Sequence, residues 1–237
     1  MLAVLLVTSC GEDDGPSQVT ITLEPTVGTE SLVHGQTYNV NGIDVQFDNF
    51  AFYLGDLTFD LSGDRTFRSG DRYQLIRPGT FDYEFEVLYE EGEESASLEN
   101  ITFIVGVDDA TNAMTEEDFT MRDESDPLGP QNPTMHWGWQ SGYRFMNVDA
   151  DADLDGDGEF ETPLVFHLGG SDFRGDLNIT PNIELERGAN SIKLNFDVAA
   201  FLDGVDFNTE QFTKANINNP ELAQKVLANY SSAFVIE

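Results

Sequence analysis

The chain of 237 residues contains little cysteine, histidine or positive charge. It has one cysteine, three histidines, and 11 lysines and arginines against 44 aspartates and glutamates. A single cysteine cannot form an intrachain disulfide. The formal net charge of −33 repels the phosphates of nucleic acids and of anionic lipid surfaces. We therefore expect no nucleic-acid partner, and the charge is compatible with solubility outside the cytoplasm or with cation binding.

Sequence motifs typical of catalysis are also absent. The chain contains no G-x-S-x-G, no phosphate-binding glycine loop and no H-E-x-x-H. Its three histidines are far apart in the sequence and provide few side chains for acid–base catalysis. A secreted hydrolase would need convergent polar groups in a pocket, and no stretch of the sequence suggests them. We predict that the protein is not an enzyme.

The N-terminus carries a short apolar run, LAVLLV at residues 2–7, which is far shorter than a membrane-spanning helix. It leads into LLVTSC, which resembles a bacterial lipobox ending in Cys10, the residue that would be lipidated. Because no Lys or Arg precedes Cys10, we predict a truncated lipoprotein signal segment at 1–9, then a flexible acidic tether at 10–18. Residues 19–237 are predicted to form a single domain. These features predict an exported outer-membrane lipoprotein, attached to the membrane through its lipid anchor and facing the periplasm or the cell surface.

The body of the chain has the pattern of strands separated by turns. Apolar and polar residues alternate with period two in three segments, 19–23, 83–88 and 192–198. Clusters of Gly, Asn, Asp and Pro separate further strand candidates at 43–47, 50–59, 101–107, 143–148 and 164–168. Each alternating strand has one apolar face, which favours antiparallel pairing. We predict an all-β fold, an antiparallel β-sandwich.

Two helical stretches interrupt this pattern. One short turn is predicted at 115–119, where acidic residues lie near the N-terminus. A short C-terminal helix is predicted at 219–228, with Asn219 as N-cap and Pro220 at the first helical position. Leu222 and Val226 lie on one face of this helix, which we expect to pack on the sandwich.

Both tryptophans lie in one stretch, TMHWGWQSGYRF at 134–145. Arranged as a strand, the stretch would place Met135, Trp137 and Trp139 on one face and His136 on the other. The pattern is compatible with ordinary core packing of aromatic residues. It is also compatible with a strand beside a metal ion.

Six segments of the sequence carry a family resemblance: FYLGDLTF at 52–59, YQLI at 73–76, PGTFDY at 78–83, FIVGV at 103–107 followed by Asn112, MHWGWQSGYRF at 135–145 and VFHLG at 165–169. In this order and spacing they resemble the MbnP-like copper-binding protein family. The resemblance implies a secreted β-sandwich that holds one copper ion through histidines. It also implies that a partner di-haem protein of the bacterial cytochrome c peroxidase type oxidises a tryptophan near the metal to kynurenine. Trp137 and Trp139 are the candidates for that oxidation.

The resemblance also indicates the copper ligands. His167 lies in the VFHLG element and is the strongest candidate, and His136 lies within the tryptophan stretch. His34 is near the N-terminal region where copper-binding relatives place ligand histidines. Cu(I) accepts imidazole or soft sulfur at low coordination number, so Met135 is a further candidate.

The first predicted strand departs from the family pattern. Relatives carry ligand histidines on or near this strand, whereas residues 22–28 read TLEPTVG here. This departure is compatible with a chain that keeps the fold and binds the metal more weakly or binds a different metal. The alternative to copper is a surface binding module that recognises a protein or a glycan and holds calcium in an aspartate-rich loop.

That loop begins within DADADLDGDGEFE at 149–161. Read from Asp153, it has carboxylates at positions 1, 3 and 5 and glycine at position 6, as in the first part of an EF-hand calcium loop. Position 12 is Leu164, so another carboxylate would have to replace the usual Glu. The calcium candidates are Asp151, Asp153, Asp155, Asp157 and Glu161. A solvated acidic loop tip without an ion is equally compatible with this pattern.

Overall fold

The computed structural model describes residues 15–123, 125–138 and 141–237. In these residues the strands are β1 (Ser17–Val27), β2 (Glu30–Ser31), β3 (Thr37–Val40), β4 (Ile43–Leu61), β5 (Arg65–Arg68), β6 (Tyr73–Ile76), β7 (Phe81–Val87), β8 (Ser95–Val105), β9 (Met146–Asp153), β10 (Thr162–Leu168), β11 (Gly175–Ile179), β12 (Ile183–Glu186), β13 (Ala189–Asp197), β14 (Phe212–Lys214) and β15 (Phe234–Ile236). The helices are α1 (Asp109–Asn112), α2 (Glu116–Thr120), α3 (Val198–Phe201), α4 (Pro220–Leu227) and α5 (Tyr230–Ala233), with single 3₁₀ turns at Ser171–Phe173 and Ala215–Ile217.

The strands form two sheets that confirm the predicted all-β sandwich. The smaller sheet has the order β15-β13-β1-β2, with β7 also paired to β1. The larger sheet has the order β11-β8-β4-β9-β10-β14, with β3, β5 and β6 paired to β4 and β12 paired to β8. Most pairs are antiparallel, but β1–β13 and β10–β14 are parallel. Each sheet therefore contains one parallel pair, and both sheets are mixed.

The central strand β4 is longer than the sequence pattern predicts. It spans 19 residues and combines two predicted strands that a polar Asp48-Asn49 pair separates in the sequence. At this point the register against β9 shifts, from Phe47 opposite Ala150 to Asn49 opposite Asp149. Such a bulge accommodates an extra residue without ending the strand. The polar pair therefore marks an irregularity inside one strand.

The core lies between the two sheets. Along β1, Val19, Ile21 and Leu23 are fully buried, which the alternating pattern predicted. At the centre of the core, the ring of Phe196 lies 5.0 Å from that of Phe52 and 4.9 Å from that of Phe234, between ring centroids. Burying each phenylalanine contributes about 1.5–3 kcal/mol. These contacts join β4 of the larger sheet to β13 and β15 of the smaller one.

The predicted C-terminal helix is present as α4. Asn219 caps it by accepting a hydrogen bond from the Leu222 amide at 3.3 Å, and Pro220 begins it. Leu222 and Val226 are buried against the rest of the protein. Upstream, Thr115 and Asp118 form a capping box at the start of α2, where a single turn was predicted.

The N-terminal predictions fall mostly on residues that the structure does not describe. The predicted signal segment and Cys10 lie outside the described residues, as does most of the predicted tether at 10–18. Its last two residues, Ser17 and Gln18, belong to β1, and Ser17 is buried. Among the described residues, no helix has the length and apolar character needed to cross a membrane.

Replacing Phe196 by alanine tests the core. We expect Phe196→Ala to reduce the free energy of unfolding by about 3–5 kcal/mol, because the cavity removes contacts with rings from both sheets. Denaturant titration measures this change. The matched control is Val235→Ala in β15, where the side chain is 41% exposed. An equal loss in both variants would contradict the central position assigned to Phe196.

Candidate metal site beneath the tryptophan hairpin

The stretch predicted as one strand around the tryptophans forms a tight hairpin. The Trp137 amide donates to the Gly142 carbonyl at 3.0 Å, and the Arg144 amide donates to the Met135 carbonyl at 2.9 Å. Gly138 and Gly142 have positive φ angles, 113° and 74°, which favour glycine at the turn. We define residues 134–138 and 141–145 as the tryptophan hairpin. Trp139 and Gln140 lie outside the described residues. The predicted continuous strand is wrong because these glycines reverse the chain.

Residues of α1, of the loop that follows α2 and of β10 hold the hairpin in place. The Tyr143 amide donates to Asn112 Oδ1 at 2.8 Å, and the Tyr143 hydroxyl donates to the Leu128 carbonyl at 2.7 Å. At the end of the hairpin, the Phe145 amide donates to the Leu168 carbonyl at 2.7 Å. The hairpin is therefore attached to the larger sheet on the side away from the main core.

The two faces of the hairpin have different surroundings. Met135 and Trp137 face the larger sheet: Met135 Sδ lies 3.3 Å from Asn147 Nδ2. A Cβ atom built on Gly169 would lie 2.7 Å from the indole of Trp137, so the ring packs directly on the backbone there. Arg144 is the cross-strand neighbour of Met135 and shares its face.

His136 lies on the opposite face of the hairpin. Its ring stacks on Phe119, with centroids 4.4 Å apart, and its Nδ1 accepts a hydrogen bond from the Gly138 amide at 3.0 Å. Burial, and then the positive charge of Arg144, lower the pKa of His136 below its usual range. Both His136 and His167 are predicted copper ligands. The structure brings Trp137 close to the end of β10 and turns His136 away from it.

His167 lies on β10, on the face of the larger sheet that the hairpin covers. It is 6% exposed, and its register partner on β9 is Asn147. His167 Nε2 and Asp149 Oδ1 are 2.6 Å apart, and Asn49 Nδ2 donates to Asp149 Oδ2 at 2.9 Å. Three strands, β4, β9 and β10, therefore contribute to one hydrogen-bonded chain.

The charge state of Asp149 determines how His167 can act. Burial alone would raise the pKa of the Asp149 carboxyl, but the hydrogen bond and charge of His167, the hydrogen bond from Asn49 and the charge of Arg144 hold it below its usual range. Asp149 is therefore an anion at neutral pH and accepts a hydrogen bond from the protonated Nε2 of His167. In the neutral imidazole this leaves the lone pair on Nδ1. An imidazole oriented by a carboxylate in this way is a common arrangement for a metal ligand.

Four buried polar atoms around this pair have no hydrogen-bond partner among the described residues: His167 Nδ1, Asn147 Oδ1, Trp137 Nε1 and Arg144 Nε. Buried polar groups are nearly always hydrogen-bonded, so a group of four in one region needs an explanation. We define these four residues together with Met135 and Asp149 as the polar cluster. Its atoms include an imidazole lone pair, a thioether and an amide oxygen, which are all potential ligands of a soft cation.

The third histidine is remote from this cluster. His34 lies in an exposed turn between β2 and β3. In the part of the chain that the structure describes, the metal-sized groups of three or more His, Cys, Asp or Glu ligands include none of the three histidines. The structure therefore does not assemble His34, His136 and His167 into one centre.

The aspartate loop between β9 and β10 does bring ligands together. One carboxylate oxygen each from Asp153, Asp155 and Asp157 lies within 4.8 Å of the others. Asp153 accepts hydrogen bonds from the Gly156 amide at 2.7 Å and from the Gly158 amide at 2.9 Å. These hydrogen bonds, that of Gly158 first, lower the pKa of Asp153 and keep it ionised.

The other two calcium candidates lie apart from this group. Burial, and then the charge of Asp48 at the bulge of β4, raise the pKa of Asp151. Asp151 therefore faces Asp48 across the sheet. Glu161 is exposed and does not belong to the group of three.

Sequence reasoning missed three members of the polar environment, Arg144, Asn147 and Asn49, and read Asp149 only as part of the acidic run. A usable signal was present for Asn147 and Asp149. Asn147 and Asp149 alternate with buried Val148 and Ala150, which indicates polar side chains on the face of β9 away from the core. Asn49 could not be found in this way because the bulge at Asp48 shifts the alternation of β4.

The fold and this geometry define the class of protein: an all-β sandwich whose larger sheet carries a polar cluster enclosed by a covering hairpin. The MbnP family model matches residues 16–220, so the chain belongs to the MbnP family. A solved structure, MbnP from Methylosinus trichosporium, is similar with a TM-score of 0.58 and 12% identity, and the match covers 94% of this chain and 98% of that chain. At this identity the likeness shows a shared fold. No curated protein matches the chain significantly.

The lowered pKa of His136 predicts how stability depends on pH. The folded state binds fewer protons at His136 than the unfolded chain does, so stability present at neutral pH is lost as the pH falls below the unfolded value of about 6.5. Denaturant titrations between about pH 7 and pH 5 should show a smaller loss for His136→Phe, which retains an aromatic ring against Phe119. Identical pH profiles for the variant and the original protein would contradict this assignment.

Proposed function

We propose that this protein is an exported metal-binding protein that holds one copper(I) ion at His167, and that it is not an enzyme. The observation that carries the proposal is the buried Nδ1 atom of His167, which has no partner among the described residues while Nε2 is hydrogen-bonded to Asp149. The hydrogen bond at Nε2 orients the ring and makes Nδ1 the nitrogen that is available to a metal. Membership of the MbnP family supports copper as the metal.

The donor set fits a soft monovalent ion. Imidazole nitrogen and thioether sulfur are ligands that Cu(I) prefers, and Cu(I) accepts two or three of them. Met135 Sδ is adjacent to Asn147, the register partner of His167, so both candidate ligands lie in the polar cluster. Asn147 Oδ1 is a third, weaker donor. Bound copper would supply a soft, redox-active cation, and Asp149 would keep the imidazole in the binding tautomer.

The resemblance to MbnP-like proteins extends the proposal to Trp137. A partner di-haem protein of the cytochrome c peroxidase type would oxidise a tryptophan beside the metal. Trp137 suits this role because its indole packs on Gly169, two residues after His167, and its Nε1 has no partner among the described residues. Trp139 remains a candidate and lies outside the described residues. Peptide mass spectrometry of protein from its native host would show which indole is modified.

The cellular location belongs to the same proposal. The lipobox-like sequence before Cys10 supports attachment of the protein to the outer membrane through a lipid anchor, facing the periplasm or the cell surface. Intact mass spectrometry of the native protein tests this, because lipidation adds a large, defined mass at Cys10. Unmodified Cys10 in the membrane fraction would contradict the anchor.

A second candidate function rests on the aspartate loop. The converging carboxylates of Asp153, Asp155 and Asp157 support a calcium site of the weak extracellular kind, with a dissociation constant of about 10⁻⁴–10⁻³ M. Such an ion would neutralise part of the dense negative charge at the loop. This site is compatible with copper at His167, since the two groups of ligands do not overlap.

Substitutions in the polar cluster test the copper proposal. We expect His167→Ala to weaken Cu(I) binding by at least about 100-fold, and Asp149→Asn to weaken it by about 10–100-fold, because the latter loses only the partner that orients the imidazole. Met135→Leu, which removes the sulfur at similar volume, should also weaken binding. Competition with a chromogenic Cu(I) chelator without oxygen measures these affinities.

The control is His34→Ala, which removes an exposed histidine outside the cluster. It should bind Cu(I) as the original protein does. Equal loss in His34→Ala and His167→Ala would show that histidine content alone determines binding. Unchanged affinity in His167→Ala would contradict the proposed centre.

The calcium site is tested at Asp155 and Asp157. We expect the double variant Asp155→Asn/Asp157→Asn to lose the calcium-dependent rise in melting temperature that the original protein shows at millimolar calcium, because the remaining Asp153 provides too few ligands. Asp64→Asn, in the exposed turn before β5, is the matched control. If calcium stabilises the double variant as much as the control, the loop is not the site.

A further inference from the structure

Arg144 differs from the other half-buried arginines of the described chain. Each of the others donates side-chain hydrogen bonds to acceptors in the protein: Arg65 to Glu93, Arg77 to Gln131, Arg122 to Asp126 and Arg174 to Asp176. Arg144 Nε and Arg122 Nε are both buried without a partner, but Arg122 also binds Asp126, whereas Arg144 makes no side-chain hydrogen bond to the described residues. This occurs in a chain with four times as many acidic as basic residues, 44 against 11.

The position of Arg144 in the fold brings its charge close to the proposed copper ligands. Arg144 is the cross-strand neighbour of Met135 in the tryptophan hairpin, on the face that covers His167 and Asn147. Burial lowers the pKa of Arg144 and the charge of Asp149 raises it. A guanidinium remains protonated at any physiological pH. A fixed positive charge therefore lies beside the proposed copper ligands.

The formal charges of the polar cluster add up to zero. When a metal is bound, Asp149 contributes one negative charge and Arg144 one positive charge, while Met135, Asn147 and the coordinating imidazole of His167 are neutral donors. Lys214 on β14 is in register with His167, but its Nζ lies over the exposed Phe212 ring, 5.0 Å from the ring centre. An ion in this cluster has no excess anionic ligand to compensate its charge, and the cost is larger for a divalent ion than for a monovalent one.

We propose that Arg144 restricts the His167 centre to monovalent metal ions. This inference rests on the proposed function and adds the residue that determines which ions the site accepts. The repulsion between a fixed cation and a metal ion is proportional to the charge of the ion, so Arg144 opposes a divalent ion twice as strongly as a monovalent one. A local cation is needed for this purpose because the net charge of −33 attracts divalent ions to the molecule as a whole.

The test compares a monovalent and a divalent ion at one imidazole. Ag⁺ and Zn²⁺ are both redox-inert, and each is titrated while the NMR signals of the His167 ring are followed, so that binding at the aspartate loop does not contribute. The signals are assigned by their loss in His167→Gln. We expect Arg144→Gln to lower the ratio of Ag⁺ to Zn²⁺ affinity by about tenfold or more. Arg144→Lys, which keeps the charge, should retain a ratio close to the original.

Arg68→Gln is the matched control, since it removes the same charge from an exposed arginine on β5. It should leave the ratio unchanged. Melting curves establish that each variant is folded, and Arg144→Met provides a second uncharged variant if glutamine is not tolerated. An unchanged ratio in a folded, uncharged Arg144 variant would overturn the inference, while Ag⁺ binding at His167 would still support the proposed function. Absence of Ag⁺ binding at His167 in the original protein would overturn both.

Discussion

The contact between His167 and Asp149 determines the character of the proposed centre. Their side chains meet at 2.6 Å on the face of the larger sheet away from the main core. Asn49 completes the contact from β4, so its geometry depends on the register of three adjacent strands. Because Asp149 is hydrogen-bonded to Nε2 of His167, Nδ1 is the ring nitrogen that remains available to a ligand beneath the tryptophan hairpin. A shift of register by one residue would turn one of these side chains into the core.

The two faces of the larger sheet pack against different parts of the protein. Its inner face packs on the smaller sheet through large apolar side chains and supplies most of the hydrophobic stabilisation. Its outer face carries a second, smaller apolar cluster, which includes Tyr53, Met135, Tyr143 and Phe145. This cluster fastens the tryptophan hairpin onto the sheet. The polar cluster lies at the margin of that second core, so His167 Nδ1, Asn147 Oδ1, Trp137 Nε1 and Arg144 Nε are inaccessible to water although they lie outside the main sandwich.

Charge has different consequences at the two candidate metal sites. The aspartate loop concentrates carboxylates that backbone amides already orient, and it suits a hard divalent cation. The His167 centre has neutral donors, and Arg144 balances its one carboxylate. The two sites lie on the same β9–β10 hairpin, yet their ligands belong to opposite chemical classes. One connection between strands can therefore carry both a hard and a soft site, because alternation and loop geometry present different side chains.

The sequence by itself determined the all-β class, the capped helix α4 and the burial of alternate residues in β1, because these depend on local periodicity and capping chemistry. Motif order also indicated His167 and the family. Only the tertiary structure decided the rest. Two positive-φ glycines made the tryptophan stretch a hairpin, and a bulge at Asp48 joined two predicted strands. Local patterns do not encode contacts between residues distant in the chain. Such contacts bring His167 to Asp149, separate His136 from both, and bury Arg144 Nε without a partner among the described residues.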